Sequence, residues 1–413
     1  MARIAFAWEL GGEYGHVMSC SGLARGLEPR GHRIAFMFRE LRQLRVVPES
    51  RDYDVFQAPR SAHEGEGVSQ NPASFAEIML GCGYRDPREV IGLVGGWRSL
   101  FSRWKPDLVV VDFSPTALAA ARTLGIRCVN YGNGFFIPPM ASPMPAFRVD
   151  QAPDPALLQR TDAQALASVN AALTHFGAAP LARLADLFAA AESFLCTFPE
   201  VDHYGSRETS GYWGPRVRFD RGTDLSWPNG LGKKVFAYVK KDLAQLDALL
   251  DIIARSPERI VAYIPDLDAA RRARFTGRNH IYSDRPIRLE KFLKGCDMMI
   301  SHGGEIAIGG LLYGIPQLVF PGHYEQYLTA VRVHQIGCGF WCGPTATAAD
   351  VERGFNDVLA DPRFIGAARA FAKRYAAFSP AEQRRRIVAR IEELLARPGA
   401  ILSPPSNHQG PER

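Results

Sequence analysis

Short apolar runs alternate along the chain with stretches of helical periodicity. Arg3 to Trp8 is continuous rather than alternating, the pattern of a strand buried on both faces of a parallel sheet. The loop Gly11-Gly12-Glu13-Tyr14-Gly15-His16 follows, and Val17–Pro29 then carries Leu23 and Leu27 on one helical face, closed by Gly31. Ile34–Phe38 is the next apolar run, so the order strand, helix, strand predicts a βαβ unit. The same pattern returns downstream. Asp86-Pro87-Arg88-Glu89 reads as a capped helix start, Leu108–Asp112 as a buried strand, Pro115–Leu124 as a helix and Ile126–Tyr131 as a strand. The Pro- and Met-rich stretch 138–145 reads as a long functional loop. Two helices are predicted near Ala163–Phe176 and Leu181–Ala191, then a strand near Phe194–Thr197.

Periodicity is lost between Gly211 and Gly232, where Gly, Pro and Trp accumulate. A second series opens with Lys234–Val239 and continues through strands at Arg259–Ile264, Met298–Ile300 and Gln317–Phe320. Thr347 and Ser379 cap two further helices, the last with Ile387, Ile391 and Leu394/Leu395 as its apolar stripe. The expectation is two doubly wound α/β domains without an internal repeat. Residues 1–212 would form the first, 213–232 a linker and 233–378 the second. A helix over 379–398 is expected to pack back on the N-terminal domain, ahead of a disordered tail over 399–413.

Composition narrows the class. With 413 residues, 46% hydrophobic and 22% charged, the chain is core-forming and long enough for two domains. Lys+Arg 49 against Asp+Glu 43 leaves only +6, and Arg384–Arg386 lies among Glu382, Glu392 and Glu393 as a solvated helix face, so nucleic acid is not indicated. Seven scattered cysteines without a Cys-x-x-Cys pair argue against a disulfide framework or zinc site and fit a reducing compartment. No apolar run approaches the ~18 residues of a membrane span. A cytoplasmic protein is expected, with docking on the inner membrane face left open, as is its oligomeric state.

The chemistry concentrates in three adjacent segments: Ile300-Ser301-His302-Gly303-Gly304-Glu305, Gly314-Ile315-Pro316, and Pro321-Gly322-His323-Tyr324-Glu325-Gln326. A strand ending at Ile300 and a helix starting near Gly303 would place free N–H groups and the positive end of a helix dipole where a phosphate binds. His302 can donate to a phosphate oxygen, while Glu325 and Gln326 on the same rim suit sugar hydroxyls. In the first forty residues His16 is a loop histidine, and Asp112 reads equally as the cap of Pro115–Leu124.

These motifs resemble the nucleotide-diphospho-sugar glycosyltransferases built from two facing Rossmann-like domains (GT-B), of the UDP-glycosyltransferase and macrolide-glycosyltransferase kind. The resemblance implies an active-site cleft between the domains and an inverting, metal-independent transfer needing no cofactor besides the donor. It assigns His302, Gly303, Gly304 and Glu305 to the diphosphate turn, and Glu325 and Gln326 to the sugar. Gly12, in the Gly-Gly-x-x-Gly-His loop, and Lys240 join the donor-binding set, although Lys240-Lys241 reads equally as a solvated pair. By the same resemblance His16 is the general base and Asp112 the acid that orients and charges it. The chain departs from the pattern at three places. His302 to Gly314 is one residue short, leaving Gly309 where a ribose-binding Glu is usual, so that either the ribose is held otherwise or Glu305 substitutes. Val239-Lys240-Lys241 replaces a Gly-Ser, and Tyr282 stands in for the base-stacking aromatic. The donor that the resemblance implies is a UDP-sugar, with dTDP-sugar close behind. The acceptor, a small molecule or a lipid-linked sugar, would meet apolar surface from Trp97, Trp104, Phe135, Phe136 and the 138–145 loop, although Trp97 and Trp104 also fit a helix core.

Three other readings compete. A UDP-sugar epimerase would need several carboxylates around the sugar, and a non-catalytic partner protein would not need His16 and Asp112. A dehydrogenase would need Gly-x-Gly-x-x-Gly after a strand, which is missing. The Asp52-Tyr53-Asp54 triplet is set aside as a chance match to a metal-binding Asp-x-Asp.

Overall fold

A computed structural model describes residues 1–12, 14–47, 52–63, 72–147, 154–207, 211–220, 222–275 and 277–397. The chain divides into two compact units, one of residues 1–196, 209–213 and 381–413, the other of 197–208 and 214–380.

The first unit is built on a six-stranded parallel sheet: β1 (Arg3–Trp8), β2 (Arg33–Phe38), β3 (Asp54–Gln57), β4 (Leu108–Asp112), β5 (Arg127–Gly132) and β6 (Glu192–Leu195). Their order across the sheet is β3-β2-β1-β4-β5-β6. Every residue of β4 is buried, as its run of β-branched side chains requires between two helical layers. The second unit repeats the arrangement with β7 (Lys234–Tyr238), β8 (Arg259–Tyr263), β9 (His280–Ser283), β10 (Met298–Ser301), β11 (Gln317–Val319) and β12 (Gly339–Trp341). Its order, β12-β11-β10-β7-β8-β9, is the same 3-2-1-4-5-6 winding. In each sheet the connections leave in opposite directions from the two central strands, β1 and β4 in one, β7 and β10 in the other. The crevice at the carboxyl ends of such a pair is where open α/β sheets bind ligands.

The helix Pro380–Ala396 supplies Ile387, Val388, Ile391 and Leu394 to the core of the first unit, against Leu23 and Leu27. Gly26 is required there, because a Cβ would stand 2.8 Å from the Val388 side chain. Between residues 154 and 191 the chain forms one long helix, Pro155–His175, and only a 3-10 turn at Leu184–Phe188, instead of two helices. Asp154 accepts from the Ala156 N–H and Pro155 occupies the first helical position, so the start lies eight residues earlier than the periodicity alone indicates. The 213–232 stretch is not a free linker. From Gly214 onward it belongs to the second unit, where Trp227 stacks on Phe292 at 4.1 Å and Thr223 pairs with Ile287. Trp97 and Trp104 are core residues, both almost fully buried, and so offer no open apolar surface. The Asp-Tyr-Asp triplet is structural at Asp54, whose carboxylate accepts from Arg33 and Trp104. The segment 399–413 lies outside the described residues.

Candidate active site

The two central strands of the first sheet end side by side, with Trp8 in register with Asp112. After β1 the chain turns through Gly11, at φ +78, into the helix Tyr14–Leu27, whose first turn carries His16. His16 Nδ1 lies 3.0 Å from Asp112 Oδ2, and both side chains are buried. The carboxylate only accepts, so Nδ1 carries the hydrogen of this contact. The imidazole is held flat against Trp8, 5.0 Å away at 17°, and touches Phe136 at 4.9 Å and Phe113 at 6.1 Å. A Cβ on Gly11 would come within 3.0 Å of Nε2, so the missing side chain leaves that nitrogen accessible. One turn along the helix, Cys20 Sγ approaches the same carboxylate oxygen at 3.6 Å.

Asp112 does not cap the following helix. Glu9, one residue past β1, does so: its Oε1 accepts from Thr116 N at 2.7 Å, and its Oε2 from Ser114 Oγ at 3.1 Å and Trp97 Nε1 at 2.7 Å. Burial pushes the Glu9 carboxyl above its ordinary range, an effect its hydrogen bonds from Thr116, Ser114 and Trp97 reduce. Leu10 N also donates to Phe113 O at 3.0 Å, so the two strand ends are clamped on either side of the His16–Asp112 pair. Glu9 carried no sequence signal beyond an acidic residue placed directly after an apolar strand.

The second sheet is equivalent in position, with Ser301 at the end of β10 in register with Tyr238 at the end of β7. Beyond Ser301 the chain turns through His302, Gly303 at φ +94 and Gly304 at φ +65 into the helix Gly304–Leu312. Both glycines need the left-handed region, which L side chains enter at a cost of about 1–2 kcal/mol. Gly303 is also pressed by the carbonyl oxygen of Gln326, 3.0 Å from where its Cβ would be. No side chain caps this helix. His302 is buried and edge-on to Tyr238, with ring centroids 4.8 Å apart. Lys240, half-buried, follows β7.

Glu325 opens the helix Tyr324–Gln335 beside the glycine turn, its Oε2 3.3 Å from the position of a Gly304 Cβ. Gln326 Oε1 accepts from Gly322 N at 2.9 Å, which fixes the loop after β11. His302, Gly303, Gly304, Glu325 and Gln326 are therefore brought together around one turn. Glu305 is engaged elsewhere, accepting from Nε of the buried Arg216 at 2.9 Å. At Gly309 a Cβ would lie 2.9 Å from the Phe219 ring, so an aromatic side chain fills the room a carboxylate would need. Tyr282 donates its hydroxyl to Ile264 O and packs against the sheet's core. Gly12 lies in the first unit, its carbonyl accepting from Gln43 at 2.9 Å and the space beside its Cα open. Arg216 and Tyr238 went unnoticed in the sequence, one inside a stretch without periodicity and the other as the last residue of an apolar strand. Among the described residues no group of three or more His, Cys, Asp or Glu could hold a metal ion.

Residues 248–394 match the model of the erythromycin biosynthesis protein CIII-like family, C-terminal domain. Among solved structures, the chain is similar to the glycosyltransferase VinC in complex with dTDP, at 15% identity and a TM-score of 0.65, over 94% of this chain and 100% of that one. It is similar to the spinosyn rhamnosyltransferase SpnG complexed with spinosyn aglycone, at 16% identity and a TM-score of 0.64, over 95% and 100%. It is also similar to the glycosyltransferase SnogD from Streptomyces nogalater, at 20% identity and a TM-score of 0.60, over 95% and 99%. No curated protein matches the sequence. Over the 94–95% of its length that these structures cover, the chain thus has the GT-B fold, and the region matched by the family model contains the Ser301–Gln326 motifs. No helix among the described residues is long and apolar enough to cross a membrane.

Proposed function

We propose that the protein is an inverting glycosyltransferase that moves a sugar from a nucleotide-diphospho-sugar to an acceptor hydroxyl. The observation that carries this reading is the buried His16–Asp112 pair, with Nδ1 and Oδ2 3.0 Å apart at the central strand ends of one sheet. The capless glycine turn at the equivalent point of the other sheet supports it. In this reading Nε2 of His16 takes the acceptor proton as the acceptor oxygen attacks the anomeric carbon. The bond from that carbon to the diphosphate oxygen breaks, its electron pair leaving with the nucleoside diphosphate. Asp112 stabilises the imidazolium as it forms. His302 and the N–H groups at the uncapped start of the helix Gly304–Leu312 neutralise the leaving diphosphate, which is why we assign no metal to the step.

For the donor, dTDP takes precedence over UDP in this proposal. The Phe219 ring beside Gly309 is apolar where a ribose-binding carboxylate would stand, and VinC was crystallised with dTDP. An apolar small-molecule acceptor fits Phe136 beside His16, and SpnG was solved with spinosyn aglycone. A cytoplasmic location belongs to the same proposal.

The test is a melting-temperature screen of the full chain against dTDP, UDP, GDP and NAD, followed by transfer from dTDP-glucose to aglycones in EDTA. A nucleoside diphosphate at 100 times its Kd should stabilise the protein by about 2.7 kcal/mol. That shift should vanish in His302→Ala, and the product should carry the inverted anomeric configuration. No shift with any nucleotide would refute the transferase reading and favour a non-catalytic partner role.

A further inference from the structure

A buried histidine outside every motif faces one of the residues placed on the sugar. His203 follows the short 3-10 turn Pro199–Val201, in the 197–208 stretch that belongs to the second unit. Its side chain is completely buried. Nε2 lies 3.3 Å from Glu325 Oε1 and 3.2 Å from Thr329 Oγ1. The Thr329 hydroxyl donates its single hydrogen to Glu325 O at 3.0 Å, so it meets the imidazole as an acceptor. An ionised Glu325 carboxylate accepts only. Nε2 therefore carries the hydrogen and shares it between the two oxygens.

The surrounding contacts hold the backbone turn that carries this histidine. Arg332 donates to His203 O at 3.3 Å, while Arg207 and the buried Asp202 form an ion pair at 2.9 Å across the same turn. With Oε1 tied to His203, Oε2 is the slightly nearer oxygen to Gly304, 3.3 Å from the position of its Cβ against 3.6 Å for Oε1.

We infer that His203 is a positioning residue for donor-sugar recognition: its Nε2–H fixes Glu325 Oε1 so that Oε2 is presented beside the Gly303–Gly304 turn to a hydroxyl of the transferred sugar. The inference rests on the nucleotide-sugar reading above. Burying a carboxylate beside a phosphate-binding turn is costly unless a donor holds it, and His203 Nε2 lies within reach of that carboxylate. His203 supplies that donor without adding a group that touches the nucleotide.

The test compares calorimetric affinities for dTDP-glucose and for dTDP in the wild type, His203→Leu, His203→Gln and Glu325→Gln. The ratio of the two affinities isolates the sugar, and dTDP binding reports that the site is folded. His203→Leu should weaken dTDP-glucose about tenfold and leave dTDP within twofold. His203→Gln, which keeps an N–H donor, should recover most of the loss. In a Glu325→Gln background, His203→Leu should cost nothing further, because the carboxylate through which it acts is gone. Should the leucine variant fail to fold, His203→Asn, whose shorter amide stops short of Oε1, is expected to show the same loss. A ratio unchanged in these variants, or an equal loss for dTDP and dTDP-glucose, overturns the positioning role. A wild type that binds no nucleotide at all refutes the transferase reading itself, and this inference with it.

Discussion

Asp112→Asn tests the catalytic pair directly. The side chain is fully buried, and its Oδ2 accepts from His16 Nδ1 at 3.0 Å. A general base acts through its neutral form, so the charge of Asp112 matters little before the proton moves. It matters as the imidazolium forms. Unit charges about 4 Å apart at an effective dielectric constant of about 20 attract by about 4 kcal/mol. Asparagine keeps a carbonyl acceptor and with it about 1 kcal/mol of hydrogen bonding. The difference, about 3 kcal/mol, corresponds to a roughly 100-fold loss of kcat. If the amide nitrogen turns toward Nδ1 instead, the hydrogen moves to Nε2, and the loss approaches the ~10⁴-fold seen for the same change in the serine-protease triad. The assay is initial-rate transfer at saturating donor and acceptor, with dTDP affinity and the melting curve as controls for the second unit and for folding. A His16→Ala, Asp112→Asn double variant should be no slower than His16→Ala alone. A folded Asp112→Asn protein that keeps kcat within threefold of wild type would refute the assignment of His16 as a base charged by Asp112.

Two other perturbations bear on the same corner. Gly11→Ala places a methyl 3.0 Å from His16 Nε2 and forces alanine to φ +78. It should lower stability by about 1–2 kcal/mol and abolish transfer while leaving dTDP affinity unchanged; wild-type turnover would show that Nε2 is not the proton acceptor. Glu9→Gln tests the buried carboxyl by pH. Burial raises its native pKa above the ordinary 4.5, so the native state binds more protons than the unfolded chain between those two values. Stability contributed by this group therefore falls as pH rises through that window. Urea unfolding from pH 4 to 7 should show wild type gaining on Glu9→Gln as the pH is lowered; a constant difference would mean that burial does not perturb this group.

The strands were legible because a parallel strand buried on both faces must be an apolar run, whatever its neighbours. The glycine turn was legible because Gly303 and Gly304 sit directly against His302 in sequence. What the sequence could not show is the partnership of residues far apart along it. Glu9 and Thr116 are 107 positions apart, Arg216 and Glu305 89, and His203 and Glu325 122. Each of these side chains takes its role from a partner that only the winding order supplies. Asp112 shows the difference most directly. By local rules it is as good a helix cap as a charge partner for His16, and no inspection of Ser114-Pro115 decides between them. The decision is made by β1 lying next to β4, which brings Glu9 to the helix start and leaves Asp112 facing His16. The same winding sets His302 beside the end of β7 in the second unit. In each sheet the polar residues just past a central strand fall where the flanking connections diverge and no helix covers the strand ends. Chemistry sits there because that is the one place on a doubly wound sheet where a polar side chain can be both held by the core and open to a ligand.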